Sequence, residues 1–171
     1  LARIRTFEAG HPIPDSAGVL ATEELLRTLH GLTERDSVIV LLTGGASALM
    51  VAPVDGVTLA EKACVTDLLL RSGASIDEIN RVRRRLSRVK GGRLLYHVGG
   101  ASVLTLFIAD VPSGDWSMVG SGPTIPPDDD GGVRDVFARY GLEHRLPRSV
   151  RQCLDRACDD RPQAAGRTAA V

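Results

Sequence analysis

The run Val38-Ile-Val-Leu-Leu42, leading straight into Thr43-Gly44-Gly45-Ala46-Ser47, constrains this chain more than any other stretch. Five consecutive apolar residues predict a strand buried on both faces, the pattern of a parallel sheet covered by helices. In an open α/β sheet, ligands collect just outside the carboxyl ends of such strands. Two glycines there let the backbone approach a ligand closely, and Thr43 and Ser47 supply hydroxyls. On the residues alone, a ligand cradle and a plain strand-to-helix turn both remain open.

The flanking segments supply an α/β alternation. Residues 2–8 alternate loosely and predict a short strand, ending at a loop in which Pro12 and Pro14 hold the backbone extended. Asp15 or Ser16 then caps a helix to about residue 32, with Val19, Leu25, Leu26 and Leu29 as its apolar stripe. Beyond the glycine turn, residues 46–51 predict a short helix. Thr58/Glu61 and Ser75/Glu78 are two capping boxes, opening helices to about Arg71 and about Val89. Lys90-Gly91-Gly92 ends the second, and residues 93–97 add a further turn. Residues 103–110 read as another buried strand, and helices follow over about 133–140 and 149–158. The last thirteen residues, 159–171, have almost no large apolar side chains and read as a disordered tail. Strands alternating with helices argue for α/β with a mainly parallel sheet, and three visible strands for part of a larger one.

Composition closes several alternatives. The 21 basic residues balance 21 acidic ones, so bulk charge offers no argument for nucleic acid or an acidic membrane. No apolar run approaches the ~20 residues of a membrane span. Cys64, Cys153 and Cys158 have no metal-ligand spacing and read as idle thiols in a reducing, cytoplasmic setting. There is no G-x-x-x-x-G-K-[ST] loop, no G-x-G-x-x-G after a strand, and no G-x-S-x-G elbow.

Two constellations could carry chemistry. On the helix predicted to Val89, Ile79, Val82, Leu86 and Val89 share a face and are expected to pack on the sheet. Arg81, Arg85 and Arg88 fall on the far side. Between them runs a polar stripe of Asn80, Arg83 or Arg84, and Ser87, continued by Lys90. Two basic groups, an amide and a hydroxyl ahead of Gly91-Gly92 suit a phosphate or carboxylate, or else make a solvated basic face. Asp110 ends the second buried strand, with Asp115 five residues on. Carboxylates so placed hold Mg²⁺ or accept a proton from a hydroxyl, or simply cap a turn. Gly120-Ser121-Gly122-Pro123-Thr124 is likewise a phosphate loop or a plain turn.

In order, Gly10-His-Pro-Ile-Pro-Asp15, Leu42-Thr-Gly-Gly-Ala-Ser-Ala-Leu49, Leu69-Leu-Arg-Ser-Gly-Ala74, residues 79–94, Ile108-Ala-Asp-Val-Pro112 and Gly120-Ser-Gly-Pro-Thr124 resemble the class II glycerate 2-kinase family. Its members have two domains, the second called MOFRL. The resemblance spans residues 10–124 and fades afterwards. It implies a Rossmann-like three-layer α/β/α domain, incomplete at the N-terminus, over residues 1–158. It also implies ATP-dependent phosphorylation of D-glycerate at the 2-hydroxyl, with Mg²⁺.

Carried over residue by residue, Lys90, Arg83 and Asp110 would be catalytic. Gly44, Gly45, Ser47, Asn80, Ser87, Gly91, Gly92, Ser121, Gly122 and Thr124 would line the substrate and phosphate cleft, and Asp110 and Asp115 would hold Mg²⁺. The chain departs from the family where Ala109 replaces a usual serine and Ser113-Gly-Asp-Trp116 replaces a Gly-Asp-Asp run. Its turn is Thr-Gly-Gly-Ala-Ser where Ser-Gly-Gly-Gly-Ser is common. The family's first strands, with a Gly-Lys-Ala-type segment, would precede Leu1. A second domain in cis would follow, so the resemblance implies the middle of such an enzyme. Self-association stays open. A hydroxypyruvate reductase and a non-catalytic sugar-acid or nucleotide-binding remnant are the alternatives.

Overall fold

The computed structural model describes residues 4–108, 116–126 and 132–156. Along the chain come α1 (Ser16–Leu29), β1 (Ser37–Thr43), α2 (Ala46–Leu49), α3 (Leu59–Arg71) and α4 (Ile76–Arg85). A 3-10 turn (Arg93–His97), β2 (Ser102–Ile108) and a second 3-10 segment (Trp116–Ser121) follow. Then come α5 (Val133–Arg139), a 3-10 turn (Glu143–Arg145) and α6 (Arg148–Asp155). The helix starts have local causes. Asp15 accepts the Gly18 amide at the head of α1, and Thr58/Glu61 and Ser75/Glu78 form complete capping boxes at α3 and α4.

β1 and β2 pair in parallel, from Ser37 opposite Ser102 to Thr43 opposite Ile108, with α2, α3 and α4 in the crossover. The α/β class and the parallel sheet therefore stand. Two expectations about the sheet do not. Residues 4–10 form no strand; Ile4 and Phe7 are 64% and 55% exposed. A strand needs a ladder partner, and this segment instead borders an open groove of about 660 Å³ between α1 and β1. Nor is β1 buried on both faces. Val38, Val40 and Leu42 turn inward, whereas Ile39 and Leu41 are 63% and 70% exposed. Among the described residues only one face of the sheet carries a helical layer.

The interior is divided in two. Leu26 and Leu29 of α1 pack with Val89, Leu94, Val98 and Val103 against the inner sheet face. A separate helical core joins Val65, Leu68 and Leu69 of α3, Ile79 and Val82 of α4, Leu86, Phe137 of α5 and Val150 of α6. The stripe Ile79, Val82 and Leu86 thus packs on neighbouring helices rather than on the sheet, and Val89 alone reaches the sheet core. Periodicity identifies a buried face but not what buries it.

Helix α4 also stops at Arg85, short of the expected Val89. Ser87 forms an antiparallel bridge with Pro53, the Arg88 amide donates to the Ala52 carbonyl, and the Ser87 hydroxyl accepts the Val89 and Lys90 amides. A competing backbone partner and a side-chain cap end the helix there. The expected 133–140 and 149–158 helices appear as α5 and α6, with slightly different ends. The tail 159–171 lies outside the described residues. No helix among the described residues is long and apolar enough to cross a membrane.

Candidate active site

Ser47 is the hub at the carboxyl end of β1. The turn after β1 puts Gly45 in the left-handed region, at φ 83°, and brings Ser47 into the first turn of α2. Ser47 Oγ accepts from Arg83 Nη2 at 2.8 Å and Lys90 Nζ at 3.0 Å, and lies 3.1 Å from Ser121 Oγ. With both lone pairs engaged, Ser47 has only its proton left, so it donates to Ser121. One hydroxyl therefore joins the glycine turn, α4, the segment after α4 and the Ser121 loop.

Lys90 is almost fully buried, at 1% exposure, and donates to Ser47 O at 2.9 Å and Gly120 O at 3.2 Å as well as to Ser47 Oγ. Its ammonium can satisfy all three acceptors. Burial pushes the Lys90 amine well below its ordinary value, with Lys62 and Arg83 adding repulsion. Burial also lowers the Arg83 guanidinium. Arg83 is less enclosed than Lys90, and Nη1 lies 3.5 Å from Asn80 Oδ1, whose own amide faces Met118 Sδ at 3.8 Å. Between the two candidates for the stripe, Arg83 faces this hub. Behind it, Lys62 donates to the carbonyls of Arg83 and Leu86. No carboxylate among the described residues pairs with Lys62, Arg83 or Lys90.

Other expected residues take backbone roles. Ser87 is fully buried and spends its oxygen on the Val89 and Lys90 amides. The Gly91 and Gly92 amides donate to Ser121 O and Gly122 O at 3.0 and 2.7 Å, which zips the two loops together. Gly120, Ser121 and Gly122 all have φ near +60°; Ser121 is the one non-glycine residue among the described set held there. That conformation costs a non-glycine residue about 1 kcal/mol or more, so the loop holds Ser121 against strain. Thr124 accepts a hydrogen bond from Thr105 Oγ1 at 2.8 Å, pinning the loop to the inner sheet face. At Gly44 a Cβ would meet nothing within 4 Å, so the backbone there borders open space.

Two side chains near the site were not among the sequence candidates. The His11 ring lies over the turn, with Nε2 3.2 Å from where a Cβ on Gly45 would sit. Its signal was the Gly10-His-Pro-Ile-Pro-Asp15 segment, which Asp15 closes onto the Gly10 amide. Lys62 was legible only as a charge in line with Val65 and Leu69 on α3. Asp110 and Asp115 lie outside the described residues. Among the described residues no group of three His, Cys, Asp or Glu could hold a metal ion.

Buried cations around a hydroxyl hub, beside an exposed glycine turn, make an arrangement suited to an anion with several oxygens. Known proteins are similar to the chain in sequence and in fold. It is 40% identical over 157 residues to a glycerate 2-kinase of Pyrococcus horikoshii, covering 91% of this chain and 36% of that one. It is 46% identical over 143 residues to an Agrobacterium vitis protein with the provisional name hydroxypyruvate reductase, covering 82% and 37%. A crystal structure of glycerate kinase from Thermotoga maritima superposes with a TM-score of 0.88 at 35% identity, over 99% of this chain and 41% of that one. The chain spans about a third of the length of the curated relatives it matches. The family described as domain of unknown function DUF4147 matches residues 1–155. The chain belongs to that family, the N-terminal domain of class II glycerate kinases.

Proposed function

We propose that this chain is part of an enzyme that phosphorylates D-glycerate at its 2-hydroxyl with ATP, giving 2-phosphoglycerate and ADP. The observation that carries the reading is the cluster of Arg83 and Lys90, free of carboxylate partners among the described residues, at the Gly44-Gly45 turn. In the reaction the glycerate 2-oxygen bonds to the γ-phosphorus, the bond from that phosphorus to the β,γ-bridging oxygen breaks, and ADP leaves. Little covalent chemistry falls to the protein, and its work is to position the groups and neutralise charge.

Arg83 is the phosphate clamp, because its guanidinium keeps donors beyond those given to Ser47 and Asn80. Lys90 fixes Ser47 and Gly120 and adds positive potential from below. The open backbone at Gly44 admits phosphoryl oxygens, and Ser121 is held beside Ser47. Asp110 is assigned as acceptor of the hydroxyl proton, and with Asp115 as the Mg²⁺ ligand pair. Bound Mg²⁺ would neutralise charge on the nucleotide phosphates. The described residues at the hub are cations and hydroxyls and offer no carboxylate to a metal ion. A cytoplasmic location and a second domain supplied in cis belong to this same reading.

The test measures ADP release from ATP plus D-glycerate, and NADH oxidation with hydroxypyruvate, using this chain and one extended at both ends. Glycerate-dependent ADP release from the longer chain supports the kinase. NADH oxidation without it supports the reductase name carried by some relatives. Activity in neither sinks both. Within an active enzyme, Arg83→Ala or Lys90→Ala is expected to lower kcat/KM by at least ~10-fold. A change within about twofold would reduce the cluster to a structural hydrogen-bond junction.

A further inference from the structure

Lys62 stands in a place that ordinary packing does not favour for a cation. It occupies the first turn of α3, the positive end of the helix dipole, and is 6% exposed on the buried face with Val65, Leu68 and Leu69. Its amine has two acceptors, the carbonyls of Arg83 at 3.3 Å and Leu86 at 2.9 Å. Helix α4 ends too early to satisfy the Arg83 carbonyl itself. The Ser87 amide, which would close that turn, bonds the Arg84 carbonyl instead. A methionine would fill the same volume without burying charge.

Among the described residues, the charged groups acting on Lys62 are cations. Arg83 presses on it from α4, and Arg93 from the 3-10 turn. Lys90, in the segment after α4, feels it in return. Its neighbour Glu61 is turned away, toward Thr58 and Ser149.

We propose that Lys62 is a positioning residue for the anion site: it holds the end of α4 from which Arg83 reaches Ser47, and places a positive charge behind that site. The inference rests on the reading that Arg83 and Lys90 receive a phosphoryl group. Burial first, and then Arg83 and Arg93, lower the Lys62 amine to about 7. An anion arriving at Arg83 and Lys90 offsets that repulsion, so it draws a proton onto Lys62. Binding and protonation are then coupled.

The experiment titrates inorganic phosphate into the 171-residue chain while NMR follows the Lys62 side chain and the Arg83 guanidinium across pH. Phosphate is expected to shift the Lys62 titration to higher pH, and the advantage of the unsubstituted chain over Lys62→Met in phosphate affinity is expected to shrink as pH rises through about 7. Lys62→Met is expected to weaken phosphate at least ~5-fold below that pH and by less above it, and Lys62→Gln, a neutral donor, to fall between. A purely structural lysine would change the melting temperature without changing this profile. Phosphate that perturbs Arg83 but leaves the Lys62 titration unmoved overturns the inference, and this holds in the unsubstituted chain even if the variants fail to fold. So does an absence of phosphate binding at Arg83 and Lys90. Should Lys62 respond while the longer chain releases no ADP, the kinase reading fails and Lys62's role stands.

Discussion

Replacing Ser47 with alanine is the sharpest probe of the hub, because one oxygen atom links three other segments. Ser47→Ala leaves the Lys90 amine with two of its three acceptors, and at 1% exposure Lys90 cannot turn to water for the third. Arg83 loses a 2.8 Å bond but is less enclosed and can be rehydrated at little cost. Ser121, 3% exposed, loses its hydroxyl partner. A hydrogen bond to a charged group contributes about 1.5–3 kcal/mol and a neutral one about 1. With partial relaxation we expect a loss of about 2–3 kcal/mol. For a domain of this length that lowers Tm by about 4–12 °C. Calorimetry measures it directly, with Thr43→Ala as the control. The Thr43 hydroxyl is exposed and, among the described residues, reaches only the Gly44 carbonyl, at 3.2 Å. A Ser47→Ala melting temperature within about 1 °C of the unsubstituted chain would refute the hub, since no buried donor would then have lost anything.

Two glycines of the site separate stability from binding. At Gly92, φ is +78° and a Cβ would fall 2.8–2.9 Å from the backbone of Pro126, so Gly92→Ala is expected to lower urea stability by at least about 2 kcal/mol. Gly44→Ala meets nothing within 4 Å; it is expected to change stability by less than about 0.5 kcal/mol yet weaken phosphate binding, and unchanged affinity would argue against a cradle at the turn. The Lys62 amine sits at about 7 when folded against an ordinary 10.5, so between these values the unfolded chain binds the extra proton. Stability then rises with pH across that window, and urea unfolding at about pH 6.5 and about pH 9 should move in favour of the unsubstituted chain relative to Lys62→Met. An unchanged difference between the two would refute the assignment.

How much of the fold and the site is legible in the sequence depends on the range of the interaction. Helix starts were legible because capping is a local bargain: Thr58 with Glu61 and Ser75 with Glu78 satisfy each other within four residues. The end of α4 was not legible. It is decided by Ala52 and Pro53, which lie more than thirty positions earlier and take over the backbone at Ser87 and Arg88. The apolar stripe of α4 was visible, but its partner across the interface was not, since spacing encodes a face and not a neighbour.

By itself, the sequence determined the α/β class, the parallel pairing implied by buried strands around a helical crossover, and the residue types available for an anion. Hydropathy period, glycine turns and caps act over a few residues, so they survive reading in one dimension. Only the tertiary structure decided that Arg83 rather than Arg84 meets Ser47, that Ser87 and the Gly91 and Gly92 amides hold loops, and that Lys62 stands behind the site. Apart from the local Ser87 turn, those outcomes depend on which distant carbonyl or hydroxyl lies within about 3 Å of a given donor. Contacts between residues twenty to seventy positions apart leave no periodic trace in the chain.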